Sequence, residues 1–259
     1  MTATITRGAG RLSDDRCRSE TLRALVAEGT EIVGDLGPGR EPAAYEDRVE
    51  MARRALRWAH ETFGEALTVA SSMGDTVMAH LAGTTIPGVD VFFLDTGYHF
   101  AETIGTRDAY AVMMPVNVRT MLPLLSVKQQ DVEFGPQLHD RDPDLCCQMR
   151  KVEPLSRALK GRQAWVSGLR RDESDTRAQT PVVAYDEKRE MVKVNPLAAW
   201  SHDDVQRFID EEGVFENPLK SEGYASIGCG PCTRAIAPGE DERAGRWAGR
   251  SKTECGLHT

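Results

Sequence analysis

Two consecutive units of strand, small-residue turn and helix limit this chain to a few architectures. Residues 66–70 form a short apolar run that enters Ser71-Ser72-Met73-Gly74-Asp75, and residues 76–81 then take a helical pattern. A second run, 91–94, ends in Asp95-Thr96-Gly97, with a helix expected from about Phe100. Paired units of this kind predict an α/β fold, a mainly parallel sheet flanked by helices that binds ligand at the carboxyl ends of its strands. Further strands are expected at 111–118, 164–167 and 191–194. Val49, Ala52, Leu56, Ala59 and Phe63 recur at three- and four-residue spacing after Tyr45, the mark of an amphipathic helix that ends at Gly64. Ser201, with Asp204 three residues on, caps a helix predicted to run to about Glu212.

The flanks are different in kind. Residues 1–42 are polar and rich in Gly and Arg, and are expected to be flexible with at most one short helix at about 21–28. The α/β nucleotide-binding domain is expected over 43–216. From Asn217 to the end the chain is rich in Gly, Pro and Arg, a loop-rich segment that a metal centre would organise better than an apolar core.

Composition narrows the function classes. With 259 residues, 40% hydrophobic and 28% charged, the chain can bury a full core. Its six cysteines are too few and too clustered for a secreted disulfide scaffold. No signal-peptide core and no long apolar stretch are visible, so a cytoplasmic protein is expected. A net charge of −8 argues against general affinity for nucleic acid or an acidic membrane. Residues 150–177 nevertheless hold an excess of Lys and Arg, which suits an anionic small molecule or, equally, a solvated helix face.

The cysteines carry the strongest chemical signal. Cys146-Cys147 and Cys229-Gly230-Pro231-Cys232 supply four thiols from two distant segments, enough for a tetrahedral zinc site or an iron–sulfur cluster. Spacing alone leaves iron–sulfur, zinc, and buried or redox cysteines open, and adjacent cysteines make an awkward chelate when their side chains diverge. Cys255, four residues from the end between Lys252 and His258, reads either as an activated nucleophile on a mobile tail or as an incidental surface thiol. Cys17 takes the incidental reading. The turn holding Ser71, Ser72 and Asp75 suits a phosphate at a helix N-terminus, or is an ordinary turn, and lacks the glycine spacing and lysine of a Walker loop. Asp95, Thr96 and Gly97 are likewise either ligand-binding or default turn residues. Arg170, Arg171, Arg177, Arg243 and Arg246, with Lys151, can neutralise a phosphate and a sulfate, or be surface charge.

Taken together, the serine turn, Leu94-Asp95-Thr96-Gly97-Tyr98, Cys146-Cys147 with Arg150-Lys151, Gly168-Leu169-Arg170-Arg171, Asn195-Pro196-Leu197, Gly228-Cys229-Gly230-Pro231-Cys232-Thr233 and Glu254-Cys255-Gly256-Leu257-His258 resemble the bacterial assimilatory adenosine 5′-phosphosulfate (APS) reductases, the iron–sulfur branch of the phosphosulfate reductase family. Residues 1 to about 60 carry no part of the likeness. The resemblance implies an adenine nucleotide α-hydrolase-like fold and a [4Fe–4S] cluster on Cys146, Cys147, Cys229 and Cys232. It implies that Cys255 attacks the phosphosulfate sulfur, expels AMP and is left S-sulfonated, and that thioredoxin then releases sulfite. Lys151, Arg170, Arg171, Arg177, Arg243, Arg246 and His258, with the residues of both turns, are the implied substrate contacts.

The serine turn is fuller in side chains than the glycine-rich loops of ATP-cleaving relatives, which disfavours a triphosphate. The chain shows no fused thioredoxin-like domain, so a separate reductant is expected. Self-association is left open. Three rivals stand: reduction of the 3′-phosphorylated substrate (PAPS) by the same cysteine, an ATP pyrophosphatase that adenylates its substrate, and a zinc-stabilised binding module in which Cys255 is incidental.

Overall fold

The computed structural model describes residues 7–249, 252, 256 and 257, with side chains from residue 17 onward. In chain order the helices and strands are α1 (Arg7–Val33), α2 (Tyr45–Phe63), β1 (Leu67–Ala70), α3 (Val77–Thr85), β2 (Val89–Leu94), α4 (Ala101–Met113), β3 (Val116–Met121), α5 (Val127–Phe134), α6 (Leu138–Arg141), α7 (Pro143–Cys147), α8 (Glu153–Leu159), β4 (Ala164–Val166), β5 (Val183–Asp186), β6 (Met191–Val194) and α9 (His202–Glu212). Among the described residues no helix is long and apolar enough to cross a membrane.

The six-stranded sheet has the order β3-β2-β1-β4-β6-β5. All neighbours are parallel except β5 and β6. The chain winds from β1 outward through β2 to β3, then returns to the other side of β1 with β4. That reversal opens a crevice at the carboxyl ends of β1 and β4, where an α/β sheet binds its ligand. Val69, Val91, Phe93, Val166, Val192 and Val194 are buried on these strands, as expected where helices cover both faces of a parallel sheet. α2 buries Val49, Ala52, Leu56, Ala59 and Phe63, the stripe its spacing predicts. At α9, Ser201 accepts from the Asp204 N–H while Asp204 accepts from the Ser201 N–H, a reciprocal cap.

Two expectations are corrected and one further strand is found. The strand expected at 111–118 begins only at Val116, because residues 111–113 complete α4. β5, which the apolar pattern did not reveal, is a four-residue edge strand held by antiparallel pairing with β6. The short helix expected at 21–28 is part of the 27-residue α1. α1 buries Leu22 and Val33 and meets β5 through the Ser19 and Tyr185 hydroxyls, 2.9 Å apart.

Candidate functional site

The crevice holds a cavity of about 590 Å³ lined from both halves of the sheet, by Ser71, Ser72 and Asp75 after β1, Thr96 after β2, and Ser167, Gly168 and Arg170 after β4. The serine turn is built by its own side chains. Ser71 Oγ accepts from the Met73 N–H, Ser72 Oγ from the Gly74 N–H, and Asp75 Oδ1 from the Val77 N–H at the start of α3. Met73 sits at φ +54°, a left-handed conformation stabilised when Asn217 Nδ2 donates to its carbonyl at 2.9 Å. Gly74 passes so close to residue 227 that an added Cβ would lie 2.8 Å from Ile227 Cβ. The turn is therefore fixed from the C-terminal segment.

Of the cations named from sequence, Lys151, Arg170, Arg177, Arg243 and Arg246 line this cavity. Arg170 is nearly buried. Burial opposes its charge, and the carboxylates of Glu173, Asp75 and Asp172 outweigh burial and raise its pKa. Arg177 is held at 2.5 Å by Glu173. Arg243 and Arg246 arrive on a strip zipped to the cysteine segment by the Thr233–Arg246 bridge and by the Arg234 N–H donating to the Gly245 carbonyl. Gly228 has no Cβ where one would stand 2.5 Å from the Arg246 guanidinium carbon, so glycine is what admits that side chain.

Arg171 is placed elsewhere. It is not on the cavity wall; its guanidinium grips Asp35 with 2.9 Å bonds to both oxygens, Glu41 at 2.9 Å and the Thr180 carbonyl at 2.8 Å. Successive residues in extended backbone face opposite ways, so Arg170 enters the cavity and Arg171 the interior. Asp95 and Gly97 also lie off the cavity. Asp95 accepts from the Gly97 N–H at 2.9 Å and pairs with Arg107 at 3.6 Å. Gly97, at φ +72°, makes the turn that exposes the Thr96 carbonyl to Arg150. Cys255 and His258 lie outside the described residues.

Cys146, Cys147, Cys229 and Cys232 line a second, smaller cavity with Arg150, Lys151 and Trp247. The two consecutive cysteines reach it because they end helix α7, where neighbours diverge by about 100° rather than the 180° of a strand. One π-turn, Gln148–Val152, follows and carries Arg150 and Lys151 inward. Among the described residues no three His, Cys, Asp or Glu side chains stand close enough to chelate an ion as placed. The four sulfurs are nevertheless one electrostatic neighbourhood. Burial pushes the Cys146 thiol up to about 12, reinforced by Cys147, Cys229 and Cys232 and opposed by Arg150.

Two buried donors at this cavity, Arg150 Nη2 and Trp247 Nε1, have no hydrogen-bond partner among the described residues. The Thr96 hydroxyl accepts from the Tyr98 N–H and lies 3.3 Å from the Cys229 sulfur, to which it can donate its proton. A buried Cys146 thiol that resists ionisation, grouped with three further sulfurs and beside a guanidinium and donors without a described partner, fits an anionic thiolate-ligated metal centre, which supplies the missing cation and acceptors. Lys151 belongs to the walls of both cavities and joins them.

Some site residues carry no sequence signal. His99 lines the larger cavity, donates from Nε2 to the Leu94 carbonyl at 2.9 Å, and has its pKa lowered by burial. Trp247 reaches the cavity through the fold of the C-terminal strip alone, joined there by Leu257 of the tail motif.

Known proteins of similar sequence and fold give the family. Residues 66–235 match the phosphoadenosine phosphosulfate reductase domain. An adenosine 5′-phosphosulfate reductase of Streptomyces coelicolor is 62% identical over 218 residues, covering 84% of this chain and 92% of that one. The protein of the same name from Mycolicibacterium smegmatis is 54% identical over 207 residues, 80% of this chain and 88% of its own. Among solved structures, a phosphoadenylyl-sulfate (PAPS) reductase from Candida auris superposes with a TM-score of 0.59 at 28% identity, over 74% of this chain and 98% of that one. FMN adenylyltransferase from Candida glabrata, with a TM-score of 0.52 at 10% identity over 83% of this chain and 71% of its own, shares the fold alone. The fold is adenine nucleotide α-hydrolase-like, and the chain belongs to the family of the phosphoadenosine phosphosulfate reductase domain.

Proposed function

We propose that the chain reduces adenosine 5′-phosphosulfate to sulfite and AMP, with Cys255 as nucleophile and thioredoxin as the dithiol reductant. The observation that carries the reading is Lys151, shared between a nucleotide-sized cavity rich in arginine and a cavity lined by four cysteines. The adenosine moiety enters the crevice between β1 and β4, the 5′-phosphate meets the serine turn at the start of α3, and the sulfo group faces Lys151, Arg177, Arg243 and Arg246. These cations offset the charge that builds when a thiolate approaches an anionic sulfo group.

The Cys255 thiolate forms a bond to the sulfo sulfur as the bond from that sulfur to the phosphate oxygen breaks, and AMP leaves. The product is a cysteine S-sulfonate. A thiolate of the external dithiol attacks Cys255 Sγ, sulfite departs with the electron pair, and the second thiol resolves the mixed disulfide. The two electrons that reduce the sulfo group come from the dithiol. A cysteine is required, since serine would form a sulfate ester that no thiol can reduce.

Cys146, Cys147, Cys229 and Cys232 are the residues that would hold a [4Fe–4S] cluster, with Thr96, Arg150 and Trp247 as donors around it. Bound there, the cluster supplies structural closure and an electrostatic influence on Lys151. The relatives named for adenosine 5′-phosphosulfate, at 50–62% identity, favour that substrate over PAPS, whose solved reductase stands at 28%. A reducing, cytoplasmic setting suits free thiols. The test is sulfite release from each phosphosulfate by anaerobically purified protein with thioredoxin. Release from adenosine 5′-phosphosulfate supports the reading; release of pyrophosphate from ATP instead would overturn it.

A further inference from the structure

Three segments that build the polar wall of the larger cavity meet at Arg170. Its guanidinium, nearly buried, stands among three carboxylates. Asp172 Oδ1 accepts from Nε at 3.1 Å, Asp75 lies 3.8 Å from Nη1, and Glu242 lies 3.7 Å from Nη2. Asp75 belongs to the serine turn, Asp172 to the short turn after β4 and Glu242 to the C-terminal strip. One positive charge among three negative ones is balanced within the protein.

Two of the cavity arginines are held beside this ring. A single oxygen, Glu173 Oε2, accepts from the Arg170 backbone N–H at 3.1 Å and from Arg177 Nη1 at 2.5 Å. The consecutive 3₁₀ turns Arg171–Glu173 and Asp175–Arg177 bring those two side chains together. Glu242 immediately precedes Arg243. One of its oxygens meets Arg170, and the other pairs with His202 at the start of α9. Asp241 accepts from the Arg243 N–H at 2.8 Å and turns the strip at that point.

Charge alone argues against carboxylates in these places. Glu173 and Glu242 line the larger cavity, where each raises the cost of bringing in an anion. Their bonds give the opposing benefit, because a long arginine held in place before the ligand arrives loses less side-chain freedom on binding.

We propose that Glu173 and Glu242 are positioning residues, anchored on Arg170, that aim Arg177 and Arg243 at the terminal anionic group of the bound nucleotide. This rests on the reading of the cavity given above as a phosphosulfate site. Each carboxylate acts through an arginine rather than on the reacting atoms.

The experiment is calorimetric binding of AMP and of ADP to anaerobically purified protein, the ADP β-phosphate standing for the sulfo group, beside single-turnover transfer of label from adenosine 5′-[³⁵S]phosphosulfate. Glu173→Ala loses a charged hydrogen bond to Arg177 and is expected to weaken ADP about tenfold, leave AMP within about twofold and slow transfer about tenfold. Glu173→Gln keeps an acceptor and is expected to recover most of both losses. Glu242→Ala, at a side chain 41% exposed, is expected to act in the same direction where the fold tolerates the change. Tighter ADP binding in both alanine variants would mean that the carboxylates only repel the ligand, and unchanged ADP binding that the arginines need no support. Either result overturns the proposal, as does an equal loss of AMP and ADP. Selective loss of ADP in a protein that never takes label from adenosine 5′-phosphosulfate would uphold the positioning role and overturn the proposed function.

Discussion

Replacing Arg171 by methionine separates the two roles an arginine next to Arg170 can have. Asp35 is nearly buried, and three groups hold its carboxylate: Arg171, the Val182 N–H at 2.9 Å and the Gly37 N–H at 3.1 Å. Burial alone would raise its pKa; these partners reverse that and lower it. Arg171→Met leaves the carboxylate buried without its cation, a change that costs about 3–5 kcal/mol. For a domain of this size that is a fall of about 10 °C in the thermal midpoint.

The sign with pH follows from the lowered native pKa of Asp35. Its contribution to stability is complete above the ordinary aspartate range, about 4, and is lost as pH falls through the native value. The gap between wild type and variant should therefore be full at neutral pH and narrow in acid. Adding Asp35→Asn removes the stranded charge and should recover a sizeable part of the loss, a coupling on the order of 2 kcal/mol. Circular-dichroism melts of the four proteins of the cycle, at neutral and acidic pH, measure all of this. A single Arg171→Met variant as stable as wild type, with nucleotide affinity lost instead, would refute the placement of Arg171 and return it to the substrate.

Burial lowers the Lys193 pKa from 10.5 to about 8 against the opposing pull of Asp186, so the unfolded chain binds the extra proton between those values and stability should rise with pH across that window. Lys193→Met, which also gives up the contact 4.8 Å from the Trp165 ring, is expected to stabilise the protein at pH 7 by about 2 kcal/mol and flatten that rise; a denaturant series at several pH values checks it. Gly74→Ala forces its Cβ to 2.9 Å from the Ile227 carbonyl oxygen, with an expected cost of about 1–3 kcal/mol and weaker AMP binding by calorimetry. Cys229→Ser is expected to purify without iron, which a colorimetric iron assay would show, and full iron in that variant would remove Cys229 from the proposed cluster.

How much could be read from sequence depended on whether a feature was local. The α2 stripe and the Ser201–Asp204 cap are set by residues within a few positions of one another, and both stand where spacing put them. The strand before β4 and the edge strand β5 were harder. Ala111 to Met113 satisfy a helix as well as a strand, and β5 owes its extended form to pairing with β6 across a four-residue turn. α1 was underestimated because it is held as much by polar contacts, such as Ser19 to Tyr185 and Arg23 to Glu187, as by an apolar stripe. At the site, five of the six cations named from sequence line the cavity, whereas Arg171 turned inward to partners more than 100 residues away that no spacing reveals. The adjacent cysteines looked awkward only in an extended chain; a helix brings both to one cavity.

The central claim is that sulfur passes through Cys255. Anaerobic protein shown to contain iron should be incubated with adenosine 5′-[³⁵S]phosphosulfate without thioredoxin, and any labelled peptide mapped under non-reducing conditions. The account predicts label on the tail peptide carrying Cys255, released as sulfite when thioredoxin is added and absent from Cys255→Ser. Sulfite formation by Cys255→Ser at the wild-type rate, or label confined to another residue, would contradict it.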